Sequence, residues 1–143
     1  MKPITSCLIG VTSLLIVSGC SDNKPNKSEL CRTLLSTDAE SRNYFKRVGV
    51  DLDEFCTCFQ FEMAYTDRVV DTKYSEALKT LIETRLEHEL SLNDATVHIK
   101  KNLRTSPADY DFTRENLDGL QDTFKSISDH MSEHGQCRVY TPD

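Results

Sequence analysis

The chain has 143 residues, a formal charge of −6, 38% hydrophobic and 28% charged residues, and no tryptophan. That length is one domain and excludes a TIM barrel or a two-domain enzyme. Five Gly and four Pro exclude collagen-like or linker composition, and the acidic balance disfavours nucleic acid, whose phosphates need clustered Lys and Arg.

The chain opens with Lys2 and an apolar run of eleven residues from Cys7 to Val17. A membrane-spanning helix needs about 20 apolar residues, so the run has the length of a secretory signal core instead. It is followed by Val17-Ser18-Gly19-Cys20. This resembles the bacterial lipobox, in which small residues precede a cysteine that is lipidated and becomes the mature N-terminus. The resemblance covers residues 1–20 and implies a signal peptide over 1–19, lipidation at Cys20, and membrane attachment through that anchor. Ser21 rather than Asp follows Cys20, which by the same resemblance implies the periplasmic face of the outer membrane rather than the inner one. Cleavage would leave 124 residues with a charge of −7, since the signal holds one Lys and no acid. Residues 20–27 then read as a polar tether of about 25 Å at full extension, followed by one helical domain over 28–143.

Within that domain the signals are helical in chain order. Thr37-Asp38-Ala39-Glu40 has the pattern of a capping box, with Thr37 as cap; its helix should stop at Gly49. Asp51 is the expected cap of the next helix, with Val50 and Phe55 placed as a hydrophobic staple. Tyr74, Leu78, Leu81, Ile82, Leu86 and Leu90 form an amphipathic stripe. Asn93 or Asp94 should cap a helix that buries Ala95, Ile99 and Leu103 and ends before Pro107. Leu117, Leu120, Phe124, Ile127 and Met131 make the final stripe, closed by Gly135, with Gly119 tolerated inside it. No segment alternates at period two. The expected fold is all-α, a small disulfide-stapled bundle of five or six helices.

An exported chain with four remaining cysteines, Cys31, Cys56, Cys58 and Cys137, should form two disulfides. With Phe55 at zero on a helical wheel, Leu52, Phe59, Met63 and Val70 fall near about 40–80°, Cys56 at about 100° and Cys58 at about 300°. A bond between Cys56 and Cys58 would break the helix. Their helix is therefore the expected hub, joined on one side to Cys31 and on the other to Cys137, with the choice of partner left open. The competing reading, a redox or metal-binding Cys-x-Cys, lacks the usual Cys-x-x-Cys spacing and βαβ setting.

His130-Met131-Ser132-Glu133-His134 has the H-x-x-E-H pattern of a zinc hydrolase. A third ligand would have to lie downstream, where nine residues remain. His130 and His134 are thus weak metal candidates and read as the last turn of a helix, where the dipole favours positive charge. His88 and His98 have no nucleophile at a recognisable spacing, and no phosphate loop or serine elbow occurs. Arg85 with Glu89, and Lys79 with Glu83, are spaced as surface i,i+4 pairs; Lys100, Lys101 and Arg104 form a small basic spot. The expected function is non-enzymatic, with no cofactor: an envelope lipoprotein that acts by contact with another envelope protein. In architecture this is similar to secretin pilotins and to small helical periplasmic immunity proteins, with no motif of either. The second reading is a lipoprotein that binds a small ligand or metal.

Overall fold

The computed structural model describes residues 26–139; the signal segment and Cys20 lie outside them. Among the described residues the chain forms six α-helices and no strand: α1 Lys27–Ser36, α2 Ala39–Val48, α3 Leu52–Ala64, α4 Arg68–His88, α5 Leu92–Thr105 and α6 Arg114–His134, with a 3-10 turn at Pro107–Asp109 between the last two. None of these helices is long and apolar enough to cross a membrane.

Helix ends follow local chemistry, though two expected caps are corrected. α1 begins at Lys27, inside the segment read as tether, because Asn26 and Glu29 form a capping box: Glu29 N–H donates to Asn26 at 2.8 Å and Asn26 N–H to Glu29 at 3.0 Å. Thr37 does not cap α2. Its hydroxyl turns back to donate to the Thr33 carbonyl at 2.7 Å, and Asp38 takes the cap by accepting from Ser41 N–H at 2.8 Å. A carboxylate there also favours the positive end of the helix dipole. The cap of α5 is Ser91 rather than Asn93 or Asp94, with Asp94 N–H donating to its hydroxyl at 3.1 Å. Gly49 (φ 72°) and Gly135 (φ 69°) close α2 and α6 in the left-handed conformation that glycine adopts without strain. Asp51 caps α3 as expected, with Val50 and Phe55 both buried beside it.

The third correction concerns Val70. The sequence places it on the face of the cysteine helix, but α3 ends at Ala64 and Val70 lies in the first turn of α4, whose amides Asp67 caps. No glycine or proline marks this break, so periodicity runs straight across it.

α1 and α4 are parallel: Lys27 Nζ lies 2.6 Å from Asp71 at their starts, and Arg85 near the end of α4 donates to the Leu34 carbonyl near the end of α1 at 2.7 Å. α3 packs on α1, and the short turn at 65–67 brings its end to the start of α4. The core fills the space between them with Leu34, Phe55, Phe59, Leu78, Ile99, Leu117 and Leu120, each essentially inaccessible to water. Tyr44, Phe45, Phe55, Phe124 and Phe59 form a chain of edge-to-face and tilted rings, centroids 4.7–5.4 Å apart, that joins α2, α3 and α6. Leu86, which the stripe assigns to the core, is 72% exposed.

Candidate functional site

The cysteine hub forms as the helical wheel requires. Cys31 bonds Cys56 and Cys58 bonds Cys137, with Cα atoms 5.6 and 5.3 Å apart, inside the usual range for a disulfide. One bond joins α1 to α3; the other draws back the tail that follows α6. Cys31, Cys56 and Cys58 are buried, so the Cys-x-Cys carries no accessible thiol pair. Arg138, next to Cys137, reinforces the tail by bonding Glu62 at 3.1 Å and Ser126 Oγ at 2.6 Å.

The histidines are arranged in pairs. His130 and His134 lie one turn apart at the end of α6 with ring centroids 4.4 Å apart. No third His, Cys, Asp or Glu joins them in a metal-holding group among the described residues. His88 and His98, distant in sequence, meet across the α4–α5 hairpin with centroids 5.0 Å apart. The basic spot is partly spent inside the fold, since Lys100 binds Asp118 at 2.6 Å and Gln121 at 2.8 Å.

The surface pairs Arg85–Glu89 and Lys79–Glu83 do not form. Glu89 is the left-handed C-cap of α4 (φ 52°) and has left the helical register, while Lys79 pairs backwards with Glu76 at 2.8 Å. Arg85 turns inwards. Its guanidinium lies 3.6 Å from Asp38 and donates to the Leu34 and Leu90 carbonyls and the Thr37 hydroxyl. Asp38 also accepts from Ser41 Oγ at 2.7 Å and from Leu92 N–H at 3.0 Å. Burial pushes the Asp38 carboxyl up, but the Ser41 hydroxyl, the Leu92 and Ser41 amides and Arg85 together outweigh it and hold the group below the usual carboxylate value. One buried ion pair thereby clamps the end of α1, the start of α2, the end of α4 and the start of α5.

Beside this clamp lies a groove of about 470 Å³ between α2, α5 and α6. Phe45, Phe55 and Phe124 lie beneath it, and Glu40, Ser41, Asn93, Gln121 and Lys125 stand on its rim. Tyr44 and Ser128 share a hydrogen bond of 3.0 Å across its wall. The chain matches no known family, no curated protein and no solved structure.

Ser41 beside Asp38 has the outline of an activated hydroxyl, but a carboxylate held low by three donors and the Arg85 charge is a weak base, and Asp38 caps α2. No histidine lines the groove. Lys125 on the rim is paired with Asp129, whose hydrogen bond and charge raise the ammonium pKa. Sequence reasoning named none of these groove residues as a site. Phe55 and Phe124 read as packing positions, Tyr44, Phe45 and Ser128 carry no spacing signal, and Asp38 stands behind Thr37 as the expected cap.

Proposed function

We propose that the chain is a lipid-anchored envelope protein that binds a partner protein through the groove between α2, α5 and α6, without turning over a substrate. The observation that carries the reading is the groove itself: an aromatic floor with a polar rim, on helices held by two disulfides and a buried ion pair. A scaffold fixed in this way loses little conformational entropy on association. The mature charge of −7 points to a partner whose contacting segment is basic and amphipathic, and such complementarity acts mainly on the association rate. Attachment through Cys20 would keep the domain near the bilayer, so the partner would also belong to the envelope.

A photo-cross-linking residue at Asn93 or Gln121, on the rim, should trap one dominant basic envelope protein in intact cells, and the same residue at Leu86 should not. Equal trapping at all three positions, or none, would refute the groove as the binding face. The volume also suits a small ligand, since such sites occupy roughly 300–1,000 Å³. Native mass spectrometry of protein released from membranes distinguishes this second reading by a bound mass that Phe124→Ala removes.

A further inference from the structure

Both ends of the described chain converge on one end of the bundle. Lys27, at the start of α1, reaches Asp71 in the first turn of α4 at 2.6 Å. From the other side the tail runs back along α3, pinned by Cys137 to Cys58 and by Arg138 to Glu62. The turn between α3 and α4 lies at the same end.

That end also carries most of the large apolar side chains that the described residues expose: Phe61 (43%), Tyr65 (57%), Val69 (66%) and Val139 (78%). Phe61 and Tyr65 pack together with ring centroids 5.2 Å apart. Leu86 and Val97, the remaining two, sit towards the far end, Leu86 being seventeen residues beyond Val69 on α4, or about 25 Å along its axis. Several charged groups where the apolar residues gather are paired or engaged. Lys27 pairs with Asp71 and Arg138 with Glu62, Asp67 is engaged as a helix cap, and Arg68 is exposed. Pairing of these charges lowers the repulsion between this face of an acidic domain and anionic headgroups.

We propose that this end, formed by Phe61, Tyr65, Val69 and Val139, is a membrane-facing surface that rests on the bilayer interface and orients the groove. The inference rests on the lipid-anchor reading: five residues lie between Cys20 and Asn26, a reach of at most about 20 Å, so the end where α1 begins is held closest to the lipid. Apolar and aromatic residues at the interface add affinity to a lipid anchor in proportion to the area they bury.

The chain contains no tryptophan, so single reporters can be placed at will. Val69→Trp, Tyr65→Trp, Leu86→Trp and Val97→Trp would each be made in the full lipidated protein. Each would be reconstituted in vesicles of phosphatidylethanolamine and phosphatidylglycerol containing acyl-brominated phosphatidylcholine. Emission at positions 69 and 65 should be blue-shifted and quenched several-fold more than at 86 and 97. Lipid-anchored protein in which positions 69 and 65 are quenched no more than 86 and 97 would overturn the orientation while leaving the anchor intact. Mass spectrometry showing an unacylated Cys20 would overturn both readings together.

Discussion

The Asp38–Arg85 clamp can be tested by removing its parts separately. Asp38→Ala deletes the α2 cap, worth about 1 kcal/mol, and leaves Arg85 without its carboxylate in a site where the two side chains are only 11% and 4% exposed. Breaking a fully buried pair costs about 3–5 kcal/mol. Here Arg85 keeps the Leu34 and Leu90 carbonyls and the Thr37 hydroxyl, so the combined loss should be about 3 kcal/mol, towards the lower end. Asp38→Asn keeps one oxygen that can cap Ser41 N–H, but its amide NH2 then faces Leu92 N–H, so it loses the charge and one acceptor and should cost about 2 kcal/mol. Urea unfolding at pH 7 reads the difference as a midpoint shift of about 1–3 M for Asp38→Ala, given an m-value of about 1–3 kcal/mol/M. The pH dependence has a definite sign. Because the folded carboxyl is held below its usual value, its contribution is complete above the unfolded pKa of about 3.9 and is lost as the pH falls through the folded value. Asp38→Asn should lack that portion of the acid dependence. If Asp38→Ala costs no more than a cap, or Asp38→Asn costs as much as Asp38→Ala, the clamp does not work as argued.

Each disulfide closes a separate loop, of 25 and 79 residues, so removing Cys31–Cys56 or Cys58–Cys137 as an alanine pair should cost about 3.5 or about 4.5 kcal/mol in the chain-entropy account. Partial reduction with peptide mapping should recover those two linkages, and any free thiol or 56–58 bridge would contradict the hub. Cys20→Ser should move the protein from the membrane fraction to the soluble one; persistence in the membrane would rule out lipidation there as the anchor. Gly119→Ala would drive its new methyl group into the Tyr74 hydroxyl. Overpacking of about 1–3 kcal/mol should exceed the helix-propensity gain of about 1 kcal/mol. Adding Tyr74→Phe should recover stability, and a stabilising single Gly119→Ala would refute the contact.

The helical class, the Gly49 and Gly135 stops, the Asp51 cap, the α6 stripe and the hub role of Cys56 and Cys58 were legible in the sequence. Each depends on one local rule: helical periodicity, glycine's tolerance of positive φ, or the angle between neighbouring side chains on one wheel. The choice of partner for each cysteine was not legible, because the wheel places two sulfurs on opposite margins but carries no information about which segment lies beside each. The break after Ala64 has no signal in the sequence, because Asp67 starts a new helix without any residue that stops the old one. Arg85 and Asp38 are 47 residues apart, and only the parallel alignment of α1 with α4 brings them together; His88 and His98 meet only because α5 folds back on α4. The groove belongs wholly to the tertiary structure. Its floor is made of ordinary core rings from α2, α3 and α6, and only the packing of those helices with α5 brings its lining together. Periodicity reports which faces are buried, whereas a site depends on where that burial is left incomplete.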